Sequence, residues 1–414
     1  IMIKVITSVK VSGKRVIVRA GFDVQLKEGT GFRGQGTEMK VVDDTRIRDI
    51  LPTLKYLIKQ KAKIVIVSHL DRPKGWDTSK SMWPVAQDLA RIINYKAVKF
   101  SDRIPDYSVP HIYFLTRDIV KRDYSSYSKK IKPGDILFLE NMRFYPGEQD
   151  NDPKFVKALS AFGDIYINDA FSVAHRKEAS TYGIAKKLPS YAGVSLMHEI
   201  ASLNKVLRNP SHPMVLIMGG AKVADKAGTI HHLAKHADHI LVGGALGNSF
   251  LKAAGYETGK STVADVPLAR ELLRNYKSKI VLPLDAVVAK SETDKNVRSV
   301  DVSKVRANEN MYDIGPKSVR KFAEYINKGK TLVWNGPMGI IEDKKFSFGS
   351  SGIATAFAAK SKGQAFGVIG GGETIQVIDR AKVAEFIDHV STGGGSMLEY
   401  LAGKKLPGIE VLDK

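Results

Sequence analysis

PMVLIMGGAK at residues 213–222 and HILVGGALG at 239–247 decide the fold. In each, an apolar run of strand length ends in paired glycines and leads into a helix-like stretch. This is the signature of a parallel strand handing over to a covering helix. Working outward, apolar runs of strand length recur in TLVWNGPMG, AFGVIGGGET, KIVLPLDAVVA and, more weakly, HVSTGGG. Toward the N-terminus the runs are RVIVRAGF, KIVIVSHL, DILFLENMRF and DIYINDAF. The alternation predicts an α/β chain with parallel sheets covered by helices.

At 414 residues the chain exceeds what one core organises, so two domains are expected. LPSYAG, residues 188–193, interrupts the alternation and marks the junction. The reading is a first domain over 1–190, a second over 191–395, a helix over about 193–208 linking them, and a tail from about 396 to 414. From Asp44, residues Ile47, Ile50, Leu51, Leu54 and Ile58 share a helical face that Pro52 kinks or breaks. Asp152 before Pro153 reads as an N-cap. Residues 27–40, rich in glycine, read as a flexible loop or long hairpin with no core face.

Composition narrows the function. Cysteine is absent, which excludes disulfides, thiolate zinc sites and cysteine nucleophiles. No stretch reaches the roughly 20 apolar residues of a bilayer span, and the first residues lack a leader pattern. A soluble, cytoplasmic protein is expected. The net charge is +21, spread over both halves: residues 1–190 carry 34 Lys+Arg against 21 Asp+Glu. No basic stripe or nucleic-acid module accompanies it, so dispersed surface lysines account for the charge better than a nucleic-acid partner does.

In parallel sheets ligands lie beyond the carboxyl ends of strands. In the N-terminal half those positions are cationic: Arg19, His69 with Arg72, Arg143, and His175 with Arg176, joined by Arg46 at a helix start. Any one arginine is best explained as an ordinary surface pair. Four strand ends of one sign point instead to a small polyanion held by planar guanidinium forks. In the C-terminal half the same positions are glycines: Gly219 and Gly220, Gly243 and Gly244, Gly336, Gly370 to Gly372, and Gly393 to Gly395. Glycine turns before helices cradle phosphate, and five in one domain point to a nucleotide. The P-loop and dinucleotide fingerprints are absent. Lys222 and Lys226, one helical turn apart, are placed to reach phosphate oxygens.

With these motifs in order, together with DDTRI, SHLDRPKG, LENMRF, NDAFSVAHR, LVGGALGNSFLKAAG, DIGPKS and STGGGSMLEYLAGKKLPG, the chain resembles phosphoglycerate kinase over essentially its whole length. The resemblance implies two Rossmann-like three-layer domains joined by a hinge that closes, a monomer, and reversible phosphoryl transfer from 1,3-bisphosphoglycerate to ADP with Mg²⁺. It implies an acid site of Arg19, Gly21, Phe22, Asp23, Arg46, His69, Leu70, Asp71, Arg72, Arg143 and Arg176. The implied nucleotide site is Gly220, Ala221, Lys222, Lys226, Gly244, Asn335, Pro337, Glu342, Gly371, Gly372, Glu373 and Thr374, with Glu373 also toward the metal. Arg46 and Lys222, aided by backbone N–H groups near Gly371 and Gly394, would neutralise the transferring group. The tail LPGIEVLDK would return to the first domain.

Departures from the family pattern sit in the acid site. Arg19-Ala20-Gly21-Phe22-Asp23 replaces the usual R-x-D-x-N, moving a carboxylate two residues along one face. An ionised Asp23 about 4 Å from a substrate carboxylate would cost up to ~4 kcal/mol at an effective dielectric of 20. It therefore pairs with arginine or accepts the substrate hydroxyl proton, and we favour the second. Asp71 stands for glycine, Glu178 for histidine, His198 for lysine and Glu373 for aspartate. Arg33 and Lys40 in the 27–40 loop are within possible reach of substrate, though a solvated loop is the simpler reading. Two alternatives stay open at this point: a same-fold kinase with another acyl-phosphate substrate, and a weakly active binding paralogue.

Overall fold

The computed structural model describes residues 3–30, 37–100 and 109–413, and the chain divides into two units, 1–199 with 405–414 and 200–404. The division falls inside the helix Val194–Arg208. Among the described residues no helix is long and apolar enough to cross a membrane.

The first unit holds β1 (Arg15–Ala20), β2 (Leu26–Thr30), β3 (Thr37–Val41), β4 (Lys63–Val67), β5 (Lys96–Lys99), β6 (His111–Leu115), β7 (Ile136–Leu139), β8 (Ile165–Asp169) and β9 (Ser190–Ala192). Seven of them form a parallel sheet in the order β5-β6-β7-β4-β1-β8-β9. Its central strands are buried on both faces, which is why RVIVRA and KIVIV read as continuous apolar runs and do not alternate. Val16, Val18, Ile64, Ile66 and Phe138 form one core face with Leu54, Leu57 and Leu89 from the covering helices. The helix expected from Asp44 is broken into Thr45–Arg48 and Leu51–Lys59, with Pro52 in the first turn of the second piece, where its missing N–H costs nothing. Asp152 caps Pro153–Ser160 through Phe155 N–H at 2.8 Å.

β2 and β3 pair as an antiparallel hairpin with Leu26 opposite Val41. The hairpin matches one of the two sequence readings of 27–40, and among its described residues only the flanking Leu26 and Val41 pack against the core edge. Lys40 is exposed, and Arg33 lies outside the described residues. The tail segment Pro407–Glu410 belongs to this unit, where Gly408 donates to Ala174 O and accepts from Asn168 Nδ2, each at 2.8 Å.

The second unit holds β10 (Met214–Met218), β11 (His239–Val242), β12 (Ile280–Val281), β13 (Asp285–Ala289), β14 (Arg298–Asp301), β15 (Asn310–Ile314), β16 (Thr331–Asn335), β17 (Phe366–Gly370) and β18 (His389–Ser391). The parallel sheet runs β12-β11-β10-β16-β17-β18. From β10 the chain winds outward through β11 and β12, then restarts on the other side at β16. A crevice opens where winding reverses, beyond the ends of β10 and β16. KIVLPLDAVVA is not one strand. Pro283 separates β12 from β13, which joins β14 and β15 in an antiparallel sheet ordered β14-β13-β15.

Candidate active site

In the second unit the switch point gathers the predicted glycine turns. Gly219 and Gly220 follow β10, and Gly336 follows β16. Gly220 N–H donates to Pro337 O at 2.8 Å and Gly244 N–H to Met338 O at 2.9 Å, lacing three turns together. Gly336 has φ +90°, and a Cβ there would lie 2.4 Å from Gly219 O, so no other residue fits. Gly371, with φ +96°, precedes the helix Gly372–Arg380. The helices Ala224–Leu233, Gly244–Ala253 and Gly372–Arg380 receive no side-chain bond from their N-cap residues, and each begins at one of these turns with the positive end of its dipole, although Ala224 N–H donates to Asp265 Oδ2 at 3.3 Å and Leu246 N–H to Gly220 O at 2.8 Å.

A cleft of about 210 Å³ opens here, lined in part by Gly220, Ala221, Gly244, Pro337, Glu342 and Glu373. Lys222 and Ala221 are exposed, whereas Lys226 is 8% exposed, with its ammonium lowered by desolvation against the charges of Asp225 and Glu373. Its Nζ lies 3.3 Å from where a Gly220 Cβ would be. Asn335 is buried and donates to Gly370 O at 2.9 Å. Thr374 is fully buried, and its Oγ accepts from Gly336 N–H at 2.7 Å, so it braces the turn rather than presenting an open hydroxyl. Gly394, with φ +52°, precedes the short helix Gly395–Leu401.

Residues that sequence reasoning missed also line this cleft: Asp285, Tyr312 and Asp313 from the small sheet. Burial pushes Asp313 up to about 7, against the pull of Gly349 and Ile314 N–H donors. Its folded value is raised above the unfolded one, so its contribution to stability is full below about pH 4 and is lost as pH rises through about 7. Denaturant titrations from pH 5 to 7 are expected to show stability falling, by roughly 1 to 3 kcal/mol per such group. Asp313→Asn, though less stable overall, should show a shallower slope.

In the first unit the predicted cations converge, at unequal depth. Arg19 is fully buried. Its guanidinium donates to Ser180 Oγ at 2.8 Å, to Ser68 Oγ at 3.5 Å, to Ala20 O, and to His69 Nδ1 at 2.9 Å. Arginine only donates, so His69 Nδ1 accepts and the ring proton sits on Nε2, facing Asp23 Oδ2 at 3.9 Å. Burial, then the charges of Arg19, Arg143, Arg176 and Arg46, hold His69 well below the usual imidazole value. It is therefore neutral, a correction to its reading as a cation. Arg19 lies beneath the rim, not on it.

Arg46 Nη1 donates to Asp23 O at 2.8 Å, and both line a cleft of about 390 Å³ with Leu70, Asp71 and Lys80. Asp23 Oδ1 accepts from Asp71 N–H at 2.8 Å. Asp71 has φ +58°, the left-handed region that aspartate tolerates, which explains its standing where the family has glycine. Its carboxylate pairs with Lys80 at 2.6 Å. At Gly21 a Cβ would meet Ser172 Oγ at 3.2 Å, so a side chain there would have to shift Ser172. Phe22 is fully buried and stacks on Phe138 at 6.0 Å. Leu70 is buried and laced to Asn141, while Arg72 is exposed. Arg143 is 4% exposed and Arg176 half-buried, both beside Glu178. Glu148, also missed, is fully buried, accepts from Ser180 N–H at 2.9 Å and is pushed up to about 7 by desolvation that Arg19 opposes.

The phosphoglycerate kinase family model matches residues 6–404. Phosphoglycerate kinases of Dictyoglomus turgidum and Pseudothermotoga lettingae are 41% and 42% identical, spanning 97% and 99% of this chain and 96% and 98% of theirs. Phosphoglycerate kinase structures from Coxiella burnetii and Pyrococcus horikoshii superpose with TM-scores of 0.82 and 0.81 at 32% and 28% identity, covering 100% and 99% of this chain and 99% and 98% of theirs. On a family match running from the first buried residues almost to the C-terminus, and on relatives of that name across the whole length, the chain belongs to the phosphoglycerate kinase family and is a phosphotransferase.

Proposed function

We propose that the second unit holds ADP or ATP in its switch-point cleft and the first holds 3-phosphoglycerate or 1,3-bisphosphoglycerate on its arginine rim. The observation that carries this division is the meeting of Gly219, Gly220 and Gly336 where winding reverses, beside three helix starts that lack a side-chain bond from the N-cap residue. Ala221, Gly244, Pro337 and Glu342 line the nucleotide, Glu342 toward the ribose. Lys226 fixes its phosphates. Arg46, Arg72, Arg143 and Arg176 bind the acid, and Arg19 positions His69 beneath them. His69 offers a neutral Nε2–H donor.

Phosphoryl transfer asks the protein for alignment and charge neutralisation, with little covalent work. Arg46 and Lys222 carry charge for the transferring oxygens, aided by N–H groups at Gly371 and Gly394. Among the described residues no group of three or more His, Cys, Asp or Glu could hold a metal ion. The exposed Glu373 in the first turn of Gly372–Arg380 supplies one hard oxygen beside the phosphate site, the donor set that suits Mg²⁺ arriving with nucleotide phosphates. Bound there, Mg²⁺ would neutralise phosphate charge.

The test is ATP-dependent phosphorylation of 3-phosphoglycerate, coupled to reduction of the product. Absence of turnover with Mg²⁺ present would remove the assignment while leaving the fold. Asp23 accepts the substrate hydroxyl proton in this reading, so Asp23→Asn should raise the KM for 3-phosphoglycerate by about fivefold. A lower KM in that variant would show that Asp23 repels the substrate instead.

A further inference from the structure

Glu178 Oε1 lies 2.6 Å from Arg143 Nη2 and 3.5 Å from Arg176 Nη1. A single carboxylate oxygen thus serves two of the rim guanidiniums. The three side chains differ in depth: Arg143 is 2% exposed, Glu178 7% and Arg176 29%. Glu178 Oε2 and Arg143 Nε are buried and make no hydrogen bond among the described residues.

A pair as short and dry as Arg143 with Glu178 is held firmly, because parting it would strand two desolvated charges. The contact to Arg176 is long and partly exposed, and the other bond of this guanidinium, to His175 Nε2 at 3.3 Å, is to its sequence neighbour, so Arg176 loses little by turning away from Glu178. We propose that Glu178 is the resident counter-anion of the acid site: it fixes Arg143 inward and competes with the acid substrate for Arg176. The negative charge it adds at the rim weakens the hold on a polyanion and speeds its departure. Where the family pattern has histidine, this chain therefore carries a carboxylate that sets substrate affinity from within. The inference rests on reading Arg143 and Arg176 as acid-site residues.

Calorimetry on the full chain tests it. Glu178→Gln should bind 3-phosphoglycerate about tenfold more tightly, with competitive inhibition by sulfate strengthened in parallel and ADP affinity unchanged. Damage to the site would move affinity the other way. Glu178→Asp keeps a charge beside Arg143 but draws it back from Arg176, and should tighten binding about threefold; it decides the matter if the glutamine variant fails to fold. Unchanged or weaker 3-phosphoglycerate binding in either folded variant overturns the proposal. Arg176→Gln separates the two layers: loss of affinity there with a flat result at Glu178 removes the counter-anion alone, whereas no loss removes the acid-site reading and the proposal with it.

Discussion

Lys222→Ala is expected to lower kcat by at least about 10²-fold while leaving the melting temperature almost unchanged. Lys222 is exposed just before the helix Ala224–Leu233, so its removal leaves no cavity and strands no partner among the described residues. Lys226, one turn on, is the control. It is 8% exposed and set beside Gly220, so it is already desolvated and fixed in the ground state. Lys226→Ala should raise the nucleotide KM and cost stability, because it removes uniform binding and leaves a void. Lys222→Ala should act mainly on kcat, because an exposed surface ammonium contributes most where charge develops. Steady-state kinetics with both substrates and a melting curve for each variant read out the split. Near-normal turnover in Lys222→Ala would sink its assignment.

The contrast between these two lysines shows where the sequence was informative and where it was not. Strands buried on both faces leave uninterrupted apolar runs, so β1, β4, β7, β8, β10, β11, β16 and β17 were legible. β5 was not, being a half-exposed edge of KAVK, and β9 is only three residues long. The break at Pro283 was hidden inside an apolar run that continues on both sides. Glycine turns were legible because the switch-point crevice demands close backbone approach. Depth was not. Arg19 is spaced like a rim residue, yet it is fully buried and donates to Ser180, 161 residues away in sequence, and Arg143 is tied to Glu178, 35 residues away. His69 was counted as a cation because sequence cannot show that four arginines surround it.

Arg46→Ala is expected to lower kcat by at least about 10²-fold as well, with a folding cost of about 1 kcal/mol. Arg46 sits in the helical turn Thr45–Arg48 and is only half-buried. Its Nη1 donates to Asp23 O at 2.8 Å, which aims the guanidinium across the cleft shared with Asp23 and Asp71. Alanine releases that aim and removes the charge together. Lysine separates them: Arg46→Lys keeps a cation but loses the planar fork, and should recover only part of the rate. Nucleotide affinity should be unchanged in both variants, because Arg46 belongs to the unit that lacks the glycine-lined cleft. The KM for 3-phosphoglycerate should rise less than kcat falls if, as proposed, Arg72, Arg143 and Arg176 hold the ground-state anion. If Arg46→Ala instead raises that KM and spares kcat, Arg46 is a substrate ligand only, and charge on the transferring group is met by Lys222 and the backbone.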